Sequence, residues 1–387
     1  MINIAFVIDT IESPYAGTEK QLLAVIKHLD RSRFRPHLVC LRSSQWLKTA
    51  EPGCKVSVMN FGSFFSMSFF HGRRRFVEFC REHKIDMVQT FFRDGNHAGT
   101  LWAHKARVAV IIGSRRNVGS GYWHNRREIA ILKFLKRYTT HYITNSEAAA
   151  AEAREVEGVD PAHISVVRNG LDMNAYPQPS AEMAVEVKKS WGFSEDSTVI
   201  GVVANLRPVK NLEFLIRRAK TIIEQRPQTR FVVLGEGHFR TELEQMIVDY
   251  DLTGKFLLPG RSDNVARDLA GFDVAVLCSH RESLSNSLME YMATGRAVIA
   301  SDVGGNRELI SQSDLGYLYP ADDSGQFERQ VLGLLDDPEL RNRMGAAARE
   351  KASNSFSYEA MIGQLETVYE SLMPTHHTHR EERAEQS

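Results

Sequence analysis

Short apolar runs alternate with amphipathic segments along the first 175 residues of the chain. The apolar run at residues 2–8 has the length of a buried strand, and residues 19–29 follow it with Leu22, Leu23, Ile26 and Leu29 at helical spacing. The same pattern predicts strands at residues 37–41, 56–59, 87–90, 108–112 and 141–144, and helices at residues 76–83, 98–106 and 128–138. Such alternation predicts a parallel sheet that is covered by helices on both faces.

The alternation stops once and then starts again. Residues 176–180, with the sequence YPQPS, contain two prolines and are predicted to be a linker. Beyond it the pattern predicts strands at residues 199–204, 231–234, 274–277 and 298–301, with helices at residues 212–224, 240–249 and 288–293. We therefore predict an α/β protein with two similar domains, whose ligands lie beyond the carboxyl ends of the strands. The polar tail at residues 374–387 is predicted to be disordered.

The composition fits this interpretation. Hydrophobic residues make up 43% of the 387 residues and charged residues 25%, which excludes a disordered chain, a collagen and a disulfide scaffold. No apolar run approaches the roughly 18–20 residues of a membrane helix, and the N-terminus lacks the features of a signal peptide. The four cysteines lie far apart without metal-binding spacing, so we expect free thiols in a reducing cytoplasm.

The net charge is zero but unevenly distributed. Residues 1–180 carry 25 Lys and Arg against 16 Asp and Glu, and the remainder carries the opposite excess. A basic first half is suited to phosphates, to an anionic lipid surface or to an acidic acceptor. No nucleic-acid-binding module is recognisable, so we expect no nucleic-acid partner.

Several segments that follow predicted strands carry residues suited to binding an anion. Gly17 precedes a helix after the first strand, where free N–H groups can meet a phosphate. Arg207 and Lys210 lie at the start of a helix, against its dipole, which is favourable if an anion binds between them. Gly235 and Gly237 permit close approach of backbone, although the dinucleotide fingerprint GxGxxG is absent.

Two glutamates eight residues apart frame another predicted helix start. Glu282 lies in the loop before the helix and Glu290 lies inside it, with Ser285 as a suitable N-cap. A carboxylate at the helix mouth can reach a ligand, and the other can accept hydrogen bonds from a diol. The amides at the helix start can meet an anion, and they belong to Leu284, Ser285 and Asn286. A structural salt bridge is the alternative for each glutamate.

The order and spacing of these segments resemble those of GT-B glycosyltransferases, especially the large retaining family 4. The resemblance rests on RPVKN at residues 207–211, GEG at 235–237, the two glutamates, and SDVGGNREL at 301–309. AGTE at residues 16–19, TNSEA at 144–148 and VVRNGLD at 166–172 also resemble segments of that family. The resemblance implies two Rossmann-like domains that face an interdomain cleft: an acceptor domain at residues 1–175 and a nucleotide-sugar domain at 181–355. Residues 356–373 would form a helix that crosses back to the first domain.

The same resemblance implies a role for each matching residue. Arg207 and Lys210 would hold the donor diphosphate, Glu282 the sugar hydroxyls and Glu290 the ribose. Backbone around Arg261 would meet the base of a UDP- or GDP-sugar, and Gly17 would border the reaction centre. No cofactor is expected. Asp249 and Asp251 form the lone D-x-D motif at a predicted helix end, so we expect no metal.

The acceptor side departs from the family pattern. Arg116 stands where a catalytic-site histidine is common, so its catalytic role is a hypothesis. Asn96, His97 and Asn117 lie nearby in sequence and are candidate acceptor-side residues. His97 could instead be an ordinary residue on a helix face.

Aromatic and basic residues are concentrated in one part of the first half. Residues 60–137 hold 15 Lys and Arg against 5 Asp and Glu, and they include FFSMSFF at 64–70 and three arginines at 73–75. This pattern suits an anionic membrane surface or a lipid-diphosphate acceptor. A core segment with a solvated basic end is the alternative.

These observations predict a retaining, metal-independent transferase that moves a sugar from a nucleotide sugar to a glycan or polyprenyl-linked acceptor in cell-envelope or exopolysaccharide synthesis. It would be cytoplasmic, with peripheral association at the inner face of the plasma membrane as a candidate property. Two alternatives remain open: another enzyme on the same scaffold, such as a nucleotide-sugar epimerase, and a non-catalytic nucleotide-sugar-binding protein.

Overall fold

In a computed structural model, residues 1–119 and 125–373 form two Rossmann-like α/β halves, each built on one fully parallel sheet. The predicted disordered tail at residues 374–387 lies outside the described residues. The two parallel sheets confirm the predicted fold class, because strand–helix alternation leaves apolar strands that only a doubly covered sheet can bury.

The first sheet has seven strands in the order β3-β2-β1-β4-β5-β6-β7. Its strands are β1 (Ile2–Ile8), β2 (Phe34–Cys40), β3 (Lys55–Val58), β4 (Met87–Thr90), β5 (Val110–Arg115), β6 (His141–Thr144) and β7 (Ile164–Val166). Its covering helices are α1 (Gly17–His28), α2 (Met67–Glu82), α3 (Thr100–Lys105), α4 (Arg126–Leu135) and α5 (Glu147–Glu155).

The second sheet has six strands in the order β10-β9-β8-β11-β12-β13. Its strands are β8 (Thr198–Val203), β9 (Thr229–Leu234), β10 (Phe256–Gly260), β11 (Val274–Leu277), β12 (Ala297–Ser301) and β13 (Tyr317–Tyr319). Its helices are α6 (Ala181–Ser190), α7 (Leu212–Gln225), α8 (Arg240–Asp249), α9 (Val265–Asp268), α10 (Asn286–Ala293), α11 (Asn306–Leu309), α12 (Ser324–Asp336) and α13 (Pro338–Ser355).

The last described helix, α14 (Tyr358–Leu372), packs on the first half although it follows the second in sequence. Tyr369 is fully buried there, and its hydroxyl donates to Gln89 Oε1 on β4. Arg33 pairs with Glu366 and Glu370 on the same helix. Helix α14 therefore joins the two halves a second time, beside the linker at residues 176–180.

Three boundaries differ from the sequence predictions for reasons of packing. Helix α2 begins nine residues before the predicted start, because Phe69 and Phe76 both pack on the buried Trp102. The predicted helix at residues 98–106 is α3 preceded by a π-helical turn at Gly95–Gly99. Strand β5 extends three residues further than predicted, so Arg116 is the first residue beyond its carboxyl end.

Three short strands were missed in the sequence analysis: β7, β10 and β13. Strands β7 and β13 lie at sheet edges and have only three residues each, too few to show an alternating pattern. Strand β10 contains Pro259 at the other edge of the second sheet, where a proline is tolerated.

Candidate active site at the interdomain cleft

The loop after β11 brings Glu282 to the predicted diphosphate-binding loop. Glu282 Oε1 lies 2.6 Å from Lys210 Nζ and accepts a hydrogen bond of 2.6 Å from Ser279 Oγ. The carboxylate side chain is only 10% exposed and the lysine 22% exposed. A carboxylate this buried is costly unless paired, and the lysine provides the pair while its other N–H groups remain available to a ligand.

Arg207 precedes Lys210 in the same loop but differs from the lysine in its lack of a partner in the ranges that the structure describes. The residue is exposed after β8, and its side chain makes no ion pair or hydrogen bond with the described part of the chain. A turn of 3₁₀ helix, Pro208–Lys210, separates it from α7. The loop therefore carries one cation with no ion-pair partner among the described residues and, three residues further on, one paired cation.

Helix α10 points its N-terminus into the cleft. Ser285 is the N-cap, and its hydroxyl accepts from the Leu288 amide at 3.2 Å. Glu290 lies on the second turn and is 8% exposed. The first amides of α10 and the two glutamates thus lie on neighbouring surfaces, as a diphosphate and a ribose would require.

The glycines of the SDVGG segment contact protein backbone. A Cβ on Gly304 would lie 1.7 Å from the carbonyl oxygen of Glu282, and a Cβ on Gly305 would lie 2.0 Å from that of Ser283. Because glycine has no side chain, the loop after β12 can pack directly against the backbone of the Glu282 loop.

The glycines of the GEG segment have a similar packing role. A Cβ on Gly235 would lie 1.9 Å from the carbonyl oxygen of Ala204, and one on Gly237 would lie 2.2 Å from that of Leu206. These glycines let the segment after β9 pack against the chain that leads to Arg207. These backbone contacts are sufficient to account for a glycine at both positions, without contact to a ligand.

Glu290 makes contacts that the sequence did not indicate. Its Oε1 lies 3.0 Å from Lys20 Nζ on α1 and accepts a hydrogen bond of 2.9 Å from the hydroxyl of Tyr176. Burial, followed by the nearby Glu290 carboxylate, raises the pKa of Tyr176, so the phenol stays a hydrogen-bond donor. Both contacts use Oε1, so Oε2 is left for a ligand.

Three loops of the first domain converge on the start of α10. A Cβ on Gly17 would lie 3.2 Å from Asn286 Nδ2, and Asn169 Nδ2 donates to Asn286 Oδ1 at 2.8 Å. Asn169 Oδ1 in turn accepts from the guanidinium of Arg116. The chain of contacts places Arg116 at the cleft, next to the helix start that the second domain provides.

Two of the candidate acceptor-side residues, Asn96 and Asn117, line one pocket of the first domain together with Arg116. Asn96 is buried, where its Oδ1 accepts from Thr90 Oγ1 at 2.8 Å and from Arg115 at 2.9 Å. Asn117 is exposed beyond β5. Asn96 therefore supports the loop, whereas Asn117 is open to a ligand.

His97 is buried and is not among the described residues that line this pocket. Its Nε2 is 2.7 Å from Glu128 Oε1, although the two atoms are not aligned as a hydrogen bond, and its ring packs on Phe64 at 5.8 Å. Burial lowers the pKa of His97 despite the neighbouring carboxylate. The structure thus places His97 on a π-helical turn with the Glu128 carboxylate as its neighbour.

Arg261 lies at the other end of the site. It follows Gly260, and its guanidinium stacks 5.0 Å from the ring centroid of Tyr15 in the loop after β1. Tyr15 is largely exposed, so an aromatic face from the first domain covers the predicted base-binding loop.

The motif search missed residues that join the halves. Lys20 follows the AGTE segment directly, Tyr176 was included in the linker, and Asn169 lies within a junction segment to which no role was assigned. Glu308 was also missed: its Oε2 accepts from Arg168, and its Oε1 accepts from the Glu147 amide at 2.8 Å. Their proximity to known motifs was the only signal, because each contact that joins the two halves links residues more than 100 positions apart.

Comparisons with known proteins identify the class to which this fold and site belong. Residues 185–351 match the family model described as Glycosyl transferases group 1, and residues 15–175 match Glycosyltransferase Family 4. Together the two models cover both halves. The chain belongs to the GT-B glycosyltransferases of the family 4 type, as the sequence motifs predicted.

Curated relatives carry glycosyltransferase names. An N-acetyl-alpha-D-glucosaminyl L-malate synthase of Bacillus anthracis is 30% identical over 54% of each chain, so the match spans about half of that relative's length. The Escherichia coli UDP-Gal:alpha-D-GlcNAc-diphosphoundecaprenol alpha-1,3-galactosyltransferase is 26% identical over 75% of this chain and 76% of its own.

Solved structures with the same fold include complexes. Anabaena HepE with UDP superposes with a TM-score of 0.84 at 19% identity, covering 96% of this chain and 100% of its own. Sucrose-phosphate synthase of Thermosynechococcus elongatus gives a TM-score of 0.77 at 18% identity, covering 96% and 99%. At these identities the likeness concerns the fold.

Two properties of the described residues complete the picture. Residues 1–119 and 125–373 contain no helix that combines the length and the apolar character needed to span a membrane. The same ranges contain no group of three or more His, Cys, Asp or Glu side chains arranged to hold a metal ion.

Proposed function

We propose that the protein is a retaining glycosyltransferase that uses a UDP- or GDP-sugar and a glycan or polyprenyl-linked acceptor, in cell-envelope or exopolysaccharide synthesis. The observation that carries the proposal is the convergence of the unpaired Arg207, the Lys210–Glu282 pair and the N-terminus of α10 at one side of the cleft. The name of the Escherichia coli relative, which specifies a UDP-sugar and a diphospholipid, is consistent with this choice.

The proposed chemistry uses these groups at the leaving group. Cleavage of the bond between sugar and diphosphate builds negative charge on the phosphate oxygen, and Arg207, Lys210 and the amides at Leu284 to Asn286 stabilise it there. Removing one preorganised donor of this kind costs about 3–4 kcal/mol of transition-state stabilisation. These cations provide the charge that a metal ion would otherwise provide, so we propose a metal-independent reaction.

The remaining residues orient the donor. Glu282 accepts hydrogen bonds from the sugar hydroxyls while it stays paired with Lys210, and Glu290 Oε2 accepts from the ribose diol. Arg261 and Tyr15 cover the base. The departing phosphate oxygen takes the proton of the acceptor hydroxyl, so that a separate strong base is not required.

A thermal-shift screen of nucleotide sugars tests this function. We expect one donor to stabilise the wild type, by about 2.7 kcal/mol at 100 times its Kd, and to lose most of that effect in Glu290→Gln. The exposed Glu339→Ala is the matched control and should behave as wild type. The ligand-induced shift is compared, not the melting temperature itself, because Glu290 also contacts Lys20 and Tyr176.

The outcomes separate the functions. A donor that binds and is turned over only when an acceptor is added supports the transferase. Conversion of the donor without acceptor would indicate an epimerase, and binding without turnover under any acceptor would indicate a binding protein. If no nucleotide sugar stabilises the wild type, the proposal is wrong.

We further propose that the first domain associates with an anionic membrane surface. Phe65 and Met67 are exposed at the start of α2, and Arg73 covers the half-exposed Phe70 at 5.3 Å from its ring centroid. Helix α4 lies close by, since its Glu128 contacts His97 and His97 contacts Phe64. It adds exposed Ile131 and Phe134. Apolar side chains interleaved with arginines are complementary to anionic lipid.

A further inference from the structure

The first domain encloses a cavity of its own beside the cleft. Its volume is about 30 Å³, it opens to solvent at its mouth, and every described residue that lines it lies between Thr18 and Glu157. Phe91, Phe92 and Leu132 form apolar parts of the wall. Because the second domain contributes no lining residue, a ligand in this cavity is held by the first domain.

The two arginines that line this cavity differ in whether they have a counter-charge among the described residues. Arg115 makes two hydrogen bonds with Glu157, at 2.6 and 2.8 Å, and its guanidinium stacks on Tyr142. Glu152 Oε2 accepts from the Gly119 amide at 2.7 Å. Arg116 makes no ion pair with any described residue, and Asn169 Oδ1 is the acceptor that its guanidinium contacts.

A cation in this position has a physical cost. Arg116 is half-buried, and loss of solvation is the main cause that lowers its pKa to about 10. A partly desolvated cation without a counter-charge is destabilising unless something compensates it. No carboxylate of the described residues pairs with Arg116, and a bound anion would supply that counter-charge.

Further free donors lie in the same wall. Thr18 is half-buried and Asn117 exposed, and neither side chain makes a hydrogen bond with the described residues. Their hydroxyl and amide groups can each donate to an oxyanion. Arg116 can donate two parallel hydrogen bonds to such a group, as guanidinium does with phosphate and carboxylate.

We propose that this cavity binds an oxyanion, phosphate or carboxylate, that belongs to the acceptor, with Arg116, Asn117 and Thr18 as its ligands. The inference rests on the proposed function and goes beyond it, because it gives the acceptor a negative group at a defined place. The donor diphosphate has cations of its own on the second domain, Arg207 and Lys210. Arg116 is therefore an acceptor-binding residue, and its contact with Asn169 ties acceptor binding to the start of α10.

The test uses the full chain saturated with UDP or GDP. Inorganic phosphate and succinate are titrated in separate thermal-shift experiments at constant ionic strength, and the tighter of the two identifies the class of oxyanion. We expect saturable binding by the wild type, at least tenfold weaker binding by Arg116→Gln and a smaller loss in Arg116→Lys. Arg126→Gln removes an exposed charge from the same domain and should leave the affinity unchanged.

Each other result is also decisive. Equal anion affinity in wild type and Arg116→Gln would overturn the proposal, and so would an anion that competes with the nucleotide, since it would then occupy the donor site. If Arg116→Gln does not fold, Thr18→Val replaces it, with an expected loss of at least twofold. If neither nucleotide binds the wild type, the proposed function fails, and the same titration of the free protein still decides the anion site.

Discussion

His37 is a titratable side chain enclosed in the first domain, outside the candidate site. Neither ring nitrogen has a hydrogen-bond partner, and the ring stacks on His83 at 4.9 Å and against Phe79 at 5.7 Å. Burial, followed by the charges of His83, Arg35 and Lys55, lowers the pKa of His37 to about 4. The folded protein therefore favours the neutral imidazole.

The pH dependence of stability follows from this shift. Because the folded pKa lies below the unfolded value of 6.5, the neutral ring stabilises the fold fully above that value, and the contribution is lost as pH falls through 4. We expect the free energy of unfolding to fall between pH 6.5 and 4, by at most about 1.4 kcal/mol per pH unit for one proton. Urea unfolding should be less pH-dependent in His37→Phe than in wild type, and unaltered in the exposed His71→Gln. Parallel curves for wild type and His37→Phe would contradict the assignment.

Individual side chains differ in how far the sequence predicts their roles. Glu282 and Lys210 come from motifs with fixed spacing, so their proximity could be expected before the structure. Lys20 and Arg116 have no such motif. Which charges are matched and which are left unmatched is decided by residues distant in sequence, such as Glu290 and Glu157.

At the scale of elements, the loops behind the site are fixed by close backbone packing. Gly304 has φ of +49° and supports the Glu282 loop, whereas Gly333 lies exposed in α12 with nothing within 4 Å of a Cβ position. Close backbone packing therefore requires glycine at position 304 but not at position 333.

We predict opposite effects of alanine at these two glycines. Gly304→Ala should lower the free energy of unfolding by about 2–4 kcal/mol and weaken nucleotide binding, because the methyl group collides with the Glu282 carbonyl in a left-handed conformation. Gly333→Ala should raise it by about 0.5–1 kcal/mol, since the unfolded chain loses freedom. Denaturant unfolding with and without nucleotide measures both. A Gly304→Ala protein as stable as wild type would show that the loop can move aside.

The sequence pattern predicts the positions of long helices and strands more accurately than the residues at which they begin and end. The long strands and amphipathic helices, such as β1 and α7, lie where periodicity places them. The predicted helix omitted the first residues of α2. These residues are aromatic and partly exposed, a pattern that a core strand can also show, so the pattern did not identify a helix there. The direction of α2 is set by contacts with Trp102, which a local pattern does not contain.

At the scale of the whole molecule, exposed apolar side chains lie mainly on the first domain. Among the described residues, seven of the eight large hydrophobic side chains that are exposed belong to it, and Val248 on α8 is the exception. The excess of Lys and Arg lies in the same half of the chain. The first domain therefore has a surface that is both basic and partly apolar.

We expect the protein to float with vesicles that contain anionic lipid and to remain unbound to neutral vesicles. Replacing Arg73, Arg74 and Arg75 by Gln should weaken binding by about 100-fold, at about 1 kcal/mol for each charge near the surface. Phe65→Ser combined with Phe70→Ser should also weaken it, whereas Val248→Ser, with 59% exposure on the second domain, is the matched control. No flotation with anionic vesicles at low salt would rule out the membrane surface.

The sequence by itself determined the class of fold, and it placed the candidate residues of the second-domain site in recognisable motifs. Apolar periodicity depends on nearest neighbours along the chain, and the site motifs combine backbone geometry with charge at short spacing, so both are readable locally. The tertiary structure alone decided that Lys20 and Tyr176 bind Glu290 and that Glu308 joins the halves. It alone decided that Arg116 is left without a counter-charge. The contacts of Lys20, Tyr176 and Glu308 depend on atoms brought within about 3 Å from distant parts of the chain, and no local pattern encodes such distances.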